Sequence, residues 1–259
     1  MQKKLWLVIE ILLGIALLVL LIWYGIRKIE DYRYIKSQNE FKSSMSIVEL
    51  DSDLDEENII PIDEVEENKE LEQKLQEAAK AKVEELKAEY PSIVGIIEIP
   101  KTEILYPIVQ GNDNQFYLDH DKEGNYHAFG EVFLDSRNTS SFTDKNSVVY
   151  GHNVRSAKTI FNELLQYENE DFFNNHKEIR IYTQEGLKTY EVISVFKAKP
   201  EEPYRERLFN SQEEFQMFIN KYQNESSIKT EDKEFENLLT LSTCFNNNYR
   251  FVIQAGELE

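Results

Sequence analysis

The sequence predicts a mainly β protein: an eight-stranded β-barrel with an N-terminal helical extension and one or two inserted helices, preceded by a single transmembrane helix. Three observations support this fold class. One long apolar run lies near the amino terminus, a helical pattern ends at Pro91, and eight short β-rich runs follow. Roughly 170 residues follow Pro91, which is enough for a domain with its own hydrophobic core.

The apolar run extends from Leu5 to Ile26 and is interrupted only by Glu10. As a helix it would measure about 33 Å, and the hydrocarbon core of a bilayer is about 30 Å thick. Trp6 and Trp23 lie near its two ends, where aromatic rings favour the lipid–water interface. A cleaved signal peptide fits poorly, because the run is too long and no small-residue cleavage site follows it. We expect residues 1–31 to be an uncleaved membrane anchor.

The orientation of this anchor is not settled by its flanking charges. Two lysines precede the apolar run, and four basic residues follow it, namely Arg27, Lys28, Arg33 and Lys36. By the positive-inside rule alone, the C-terminal side would be cytoplasmic.

Acidic residues dominate the segment after the anchor, and we expect residues 32–62 to be a solvated spacer. Residues 49–72 contain twelve acids and one lysine, so they carry −11 of the formal net charge of −19. This charge argues against nucleic acid or anionic lipid as a partner of the segment. An acidic docking surface is the alternative interpretation.

Residues 63–90 predict a helical extension of the barrel domain. Apolar residues recur there at helical spacing, namely Leu71, Leu75, Ala78, Ala79, Val83 and Leu86. Tyr90-Pro91 ends the pattern. Because the stripe is short and rich in alanine, we expect it to pack on the adjacent domain rather than to form a coiled coil.

Residues 91–259 predict the barrel domain itself. Its predicted strands are 93–99, 104–109, 131–134, 147–150, 178–183, 187–197, 238–243 and 249–255. Two predicted helices interrupt the strands. One covers residues 159–167, and the other begins at Ser211, where Ser-Gln-Glu-Glu forms a capping box.

Cys244 is the only cysteine of the chain, so it cannot form an internal disulfide. It ends a predicted strand, a polar turn over residues 246–248 follows, and Arg250 begins the next apolar run. A thiol that leaves a strand end beside a cation is in a setting that favours reaction. An inert, buried cysteine is the alternative interpretation.

His152 is the best candidate for a catalytic partner, because it also stands at the end of a predicted strand. Gly151 precedes it and would allow a close approach of the backbone. His120, His127 and His176 lie in polar loops, and we expect them to be turn residues.

No group of His and Cys residues has the spacing of a zinc site. The loop that starts at Asp119 resembles the beginning of an EF-hand, but Gly130 stands where the bidentate glutamate should be. We therefore predict no metal and no cofactor.

Two motifs, Thr-Leu-Ser-Thr-Cys followed by an arginine, and Tyr-Gly-His-Asn, resemble those of the sortases, membrane-anchored cysteine transpeptidases of Gram-positive bacteria. Further segments, such as Val-Gly-Ile-Ile-Glu-Ile-Pro and Gly-Glu-Val-Phe-Leu-Asp-Ser-Arg-Asn, narrow the resemblance to class B sortases. The resemblance covers about residues 90–256. It implies a sortase-type β-barrel whose catalytic residues are Cys244, His152 and Arg250.

The resemblance also implies a function at the cell surface. Cys244 would attack a bond in the C-terminal sorting signal of a surface protein, and the thioacyl group would pass to an amine of a peptidoglycan precursor or cross-bridge. The expected partners are these peptides, this amine and the cell membrane, with no nucleic acid. The catalytic domain would then be extracellular, against the count of flanking charges.

The resemblance places substrate-binding residues at Asn114, Leu118, Tyr150, Ser242 and Thr243. For Leu118 and Tyr150, ordinary core packing is the alternative interpretation. The chain departs from the class B pattern at Phe245, where many members have an acid, and in the short loop between Cys244 and Arg250. Two other functions are open: a pilin-joining sortase that uses a lysine amine, and an inactive peptide-binding module.

Overall fold

The computed structural model describes residues 2–45, 64–231, 233–246 and 248–258. The chain divides into two compact units, Met1–Ser44 and Met45–Glu259. Most of the predicted acidic spacer, residues 46–63, lies outside the described residues.

The first unit contains one long helix, α1 (Gln2–Ser43). It includes the predicted membrane-crossing run and continues into the residues predicted to begin the spacer, because no glycine or proline follows Gly25 before the helix ends. Large apolar side chains are exposed along it, and Trp6 and Leu13 are each 65% exposed. By length and composition, α1 could cross a membrane.

The described residues of the second unit form ten strands. They are β1 (Ile93–Glu98), β2 (Leu105–Val109), β3 (Phe133–Leu134), β4 (Asn146–Tyr150), β5 (Asn153–Val154), β6 (Thr159–Ile160), β7 (Glu178–Thr183), β8 (Gly186–Ala198), β9 (Leu238–Cys244) and β10 (Arg250–Glu257). Eight of them form a closed barrel in the order β1-β2-β3-β4-β9-β10-β8-β7, and β5 pairs only with β6. The prediction of an eight-stranded, mainly β domain is therefore confirmed.

Helices of the second unit lie around the barrel. They are α2 (Glu64–Glu89), α3 (Glu170–Asn175) and α4 (Gln212–Asn224), with 3-10 turns at Phe116–Leu118 and Glu163–Glu168. The cap predicted for α4 is confirmed, because the side chain of Ser211 accepts a hydrogen bond from Glu214 N at 3.1 Å.

The helix predicted over residues 159–167 is wrong in its first part. Thr159 and Ile160 form β6 instead, and helical structure begins only at Glu163. The reason is a tertiary contact: Ile160 N donates to the hydroxyl of Tyr106 at 3.0 Å, and Ile160 has a φ of 57°. This left-handed backbone conformation cannot start an α-helix.

The α2 helix packs on the barrel, as its apolar stripe predicts. Ala79 and Val83 are fully buried, and the helix contacts β1, β7 and β8. The side chain of Gln76 bonds both backbone groups of Leu187: its Nε2 donates to the carbonyl at 3.0 Å, and its Oε1 accepts from the N–H at 2.7 Å. These two bonds fasten the helix to the start of β8.

Strand β9 lies between β4 and β10 and sets the register of both. It runs parallel to β4, with Ser242 opposite Tyr150, and antiparallel to β10, with Cys244 opposite Arg250. The C-terminal ends of β4 and β9 and the start of β10 therefore meet at one rim of the barrel.

We predict that deletion of residues 1–31 yields a folded protein that is soluble without detergent. The deletion removes the exposed apolar part of α1 and leaves the whole barrel unit intact. Size-exclusion chromatography and near-UV circular dichroism measure the outcome, with the full chain in detergent as the reference. A truncated protein that aggregates or lacks the tyrosine dichroism of the reference would contradict the expectation.

Candidate active site

Cys244 is the last residue of β9, and its side chain is exposed, whereas the six preceding residues of the strand are buried. The strand end is tied to the neighbouring hairpin, because Asn153 Nδ2 donates to Cys244 O at 3.0 Å. This bond holds the backbone and leaves the thiol free to face the solvent. The sulfur therefore projects from a rigid strand end, and the inert, buried cysteine is excluded.

Arg250 is the first residue of β10 and stands directly opposite Cys244 in the antiparallel pair. Opposite residues of such pairs have Cα atoms about 4.5–5.5 Å apart. The guanidinium and the thiol therefore start from adjacent points on the same rim.

His152 follows the end of β4, and its Nε2 lies 2.7 Å from the carbonyl oxygen of Leu118. A carbonyl only accepts hydrogen bonds, so Nε2 carries a proton and donates it. In the neutral ring the lone pair is then on Nδ1, which is the nitrogen that can exchange a proton with a substrate. Gly151 is required before it, since a Cβ there would lie 2.7 Å from the Phe161 ring.

One cavity of about 180 Å³ brings the predicted site together. All eight predicted site residues line it: Cys244, His152, Arg250, Asn114, Leu118, Tyr150, Ser242 and Thr243. Phe133, Tyr204 and Arg205 also line the cavity, and they were missed from the sequence. They come from β3 and from the segment after β8, where no sequence pattern marks them as close to the cysteine.

The walls of the cavity differ in what they offer a ligand. Leu118 is 42% exposed, so the core-packing alternative for this residue is wrong. Asn114 Oδ1 accepts from Ser136 N at 2.7 Å, and the Ser242 hydroxyl bonds that of Tyr204 at 3.0 Å. The Thr243 hydroxyl is buried and has no hydrogen-bond partner among the residues described.

A buried carboxylate, Asp135, supports this wall from behind. Its Oδ2 accepts from the Tyr150 hydroxyl at 2.8 Å, and Arg137 binds it through Nε and Nη2, each at 2.9 Å. Burial raises the pKa of Asp135, but the bonds from Arg137, Tyr150 and Asn114 outweigh burial and hold the pKa well below the usual range. Asp135 is therefore an anion that orients Tyr150 and Asn114, which both line the cavity.

The sequence contained one sign of this network. Asp135 and Arg137 stand two residues apart directly after β3, in Leu-Asp-Ser-Arg-Asn. Their partner Tyr150 comes from another strand, and only the barrel brings the two segments together.

The other three histidines, which we expect to be surface or turn residues, do not line the cavity, and His127 is buried. His120 and His176 each bond through Nδ1 to a carbonyl four residues earlier, at 2.9 and 2.7 Å, and His127 Nδ1 accepts from Phe129 N. In the loop that resembles an EF-hand, Asp121 Oδ1 accepts from the N–H groups of Glu123 and Asn125. That carboxylate caps its own turn.

Comparisons with known proteins agree with this geometry. The family model for the Sortase domain matches residues 97–258. Sortase B of Listeria monocytogenes is 34% identical over 158 residues, which are 59% of this chain and 62% of that protein. Sortase B of Staphylococcus aureus is 30% identical over 173 residues, which are 66% of this chain and 70% of that protein.

Among solved structures, the Staphylococcus aureus sortase B–substrate complex has a TM-score of 0.65 at 28% sequence identity, and the match covers 70% of this chain and 86% of that chain. This chain therefore belongs to the sortase family, whose members are cysteine transpeptidases, and its relatives are class B sortases. The match spans less than two thirds of the length of the Listeria protein.

We predict that Asp135→Asn lowers the free energy of unfolding by about 2 kcal/mol at pH 7, because it breaks a buried, bidentate ion pair whose arginine can turn to water. The native pKa of Asp135 lies below its unfolded value of about 3.9. The Asp135 carboxylate therefore makes its full contribution to the free energy of unfolding above about pH 4, and this contribution falls at lower pH. At pH 3, the difference in the free energy of unfolding between the wild type and Asp135→Asn should be smaller by about 1 kcal/mol.

Urea unfolding of the full chain in detergent at the two pH values measures this difference. Both tryptophans lie in α1, so near-UV dichroism of the tyrosines must report on the barrel. Tyr150→Phe is the control: it should cost about 1 kcal/mol and keep most of the pH dependence, since Arg137 still pairs with Asp135. An equal loss at both pH values for Asp135→Asn would refute the assignment.

Proposed function

We propose that this protein is a membrane-anchored cysteine transpeptidase that cleaves a C-terminal sorting signal of surface proteins and transfers the acyl group to an amine of the cell-wall peptidoglycan. One observation carries the proposal: the exposed thiol of Cys244, the His152 ring and Arg250 line the same cavity. The similarity to the Staphylococcus aureus sortase B–substrate complex supports a sortase substrate as the ligand.

In the first step, the Cys244 thiolate attacks the carbonyl carbon of a Thr-Gly or Thr-Asn type bond. The thiol proton is then on His152, which is an imidazolium ion with Nδ1 and Nε2 both protonated. The C–S bond forms, the C–N bond breaks, and the imidazolium gives its Nδ1 proton to the leaving amine. The hydrogen bond from Nε2 to Leu118 O keeps the ring oriented while Nδ1 changes its protonation. The product is a thioacyl enzyme.

In the second step, the peptidoglycan amine attacks the thioacyl carbonyl, and the same nitrogen of His152 accepts its proton. The C–N bond forms and the sulfur leaves, so the free enzyme is restored. This proton transfer reverses the first one, and a single histidine serves both steps.

Arg250 acts on the oxygen that gains negative charge in both steps. Its guanidinium offers several donors in one plane and can hold two substrate oxygens at once. Thr243, one residue before the cysteine, also lines the cavity, and its buried hydroxyl has no hydrogen-bond partner among the described residues.

The place of the reaction follows from its substrates. Surface proteins and peptidoglycan lie outside the membrane, so the barrel unit would be extracellular and α1 would be a single-pass anchor. The exposed apolar side chains of α1 support an anchor. The basic residues after the apolar run argue for the opposite orientation, and protease accessibility of the barrel in intact cells decides between the two.

A panel of sorting-signal peptides, mixed with the full chain in detergent and oligoglycine, tests the function by mass spectrometry. The expected species are a thioacyl adduct on Cys244 and a peptide joined to oligoglycine. A second mixture that contains a lysine peptide instead of oligoglycine tests the pilin-joining alternative. Peptide binding without any adduct would favour the inactive binding module.

We predict that Cys244→Ala abolishes both adduct formation and peptide cleavage, because the variant has no nucleophile. Its fold should be retained, since the side chain is exposed and the strand end is held through its backbone. Mass spectrometry measures the adduct, and near-UV dichroism serves as the control for folding. Full turnover by the folded variant would end the assignment of the nucleophile.

We predict that Arg250→Lys lowers kcat/KM about 100-fold, the scale for loss of one donor to a developing oxyanion. The rate of thiol alkylation by a small, neutral reagent should hardly change, because lysine keeps the positive charge. The control is Arg207→Lys, at an arginine that lines neither cavity beside the cysteine. Near wild-type turnover by Arg250→Lys would leave the arginine only an electrostatic role.

A further inference from the structure

A second, open groove meets the first cavity at the cysteine. Its volume is about 830 Å³, and it shares only Cys244 and Arg250 with the first cavity. Its remaining walls are three asparagines, Asn153, Asn246 and Asn248, together with Arg155 and Phe245. Two ligands could therefore approach the sulfur from different sides.

The charge of this groove is opposite to that of the protein. The chain has a formal net charge of −19, yet the described residues that line the groove include two arginines and no aspartate or glutamate. A third cation, Lys197, lies over the Phe245 ring at 4.1 Å and pairs with Glu168 at 2.6 Å. The nearby carboxylate is thus already neutralised.

Arg155 is the cation that the cleavage step does not use. Its Nη2 donates to Phe245 O at 2.6 Å, which holds the guanidinium against the wall of the groove. Among the residues that the structure describes, this bond uses one of the five N–H groups of Arg155, and the others can bind a ligand. A guanidinium held in this way fits a carboxylate, which can accept two parallel hydrogen bonds.

We propose that the second groove binds the acceptor, and that this acceptor is a peptide-type amine that carries a carboxylate within a few bonds of its nitrogen. The inference rests on the proposed function and names its second substrate. Arg155 would hold the carboxylate, and the three asparagine amides would bond the peptide groups between the carboxylate and the amine.

The positive surroundings suit the chemistry of transfer. An amine attacks only when it is neutral, and two nearby guanidinium groups disfavour the ammonium form. The amine nitrogen attacks the thioacyl carbon, the C–N bond forms, and the C–S bond breaks with its electron pair on Cys244. The proton from the amine passes to His152 Nδ1. A groove lined by carboxylates would instead hold the acceptor as an unreactive ammonium ion.

The test compares acceptors that differ only in one charge. Glycine, diglycine and triglycine, each as the free acid and as the C-terminal amide, are given to the full chain in detergent with a sorting-signal peptide. The readout is the ratio of transfer to hydrolysis at each acceptor concentration, from which an acceptor KM follows. For each protein variant, the acceptor KM of the free acid is divided by that of the amide. A change in the rate of thioacylation affects both values equally and does not change this ratio.

For acceptors with the same number of glycines, we expect the free acid to have an acceptor KM about fivefold lower than that of the amide. This factor is the scale for a charge-assisted hydrogen bond at an exposed position. Arg155→Gln should bring that ratio to about one, while the control Arg207→Gln should keep it. The glutamine retains an N–H donor for Phe245 O, so loss of the ratio reports on charge.

Two results would overturn the inference and are distinguishable. If a thioacyl adduct forms but acids and amides are used equally, or if the preference persists in Arg155→Gln, the acceptor site is wrong and the proposed function stands. If the wild-type protein forms no adduct with any peptide of the panel, the proposed function fails and the inference fails with it.

Discussion

The pairing of β9 between β4 and β10 is the constraint on which the site depends. Parallel pairing with β4 places Ser242 beside Tyr150, and antiparallel pairing with β10 places Cys244 beside Arg250. A slip of one residue in either pair would turn the side chains to the opposite face of the barrel. Both faces of β9 are buried, so such a slip would remove each side chain from the neighbours on which it packs.

Loops complete the site through a few hydrogen bonds to backbone atoms. Asn153 binds the carbonyl of Cys244, Arg155 binds that of Phe245, and His152 binds that of Leu118. Because the acceptors are backbone carbonyls, these contacts do not depend on the side chains at the positions that accept. The geometry can therefore persist while the groove walls change, as they do at Phe245.

The two cavities meet at Cys244 and differ in their lining. The first is closed on one side by Tyr150, which the buried Asp135 orients, and it offers polar donors on a partly apolar wall. The second is wider and positively charged.

The sequence by itself determined the class of the domain and indicated the candidate reactive residues. Short β-rich runs between turn residues located all eight barrel strands, the capping box located α4, and the solitary cysteine with the nearby Arg250 marked the site. These signals are local, because strand propensity, turn residues and helix capping depend on neighbours in the chain. The helix predicted from residue 159 failed because a distant hydroxyl, that of Tyr106, fixes the backbone of Ile160.

Only the tertiary structure decided what surrounds the thiol. Asp135, Tyr204 and Arg155 lie far from Cys244 in the sequence, and no spacing rule connects them to it. Barrel closure and strand register place them within reach, and these depend on long-range hydrogen bonds that no local pattern encodes.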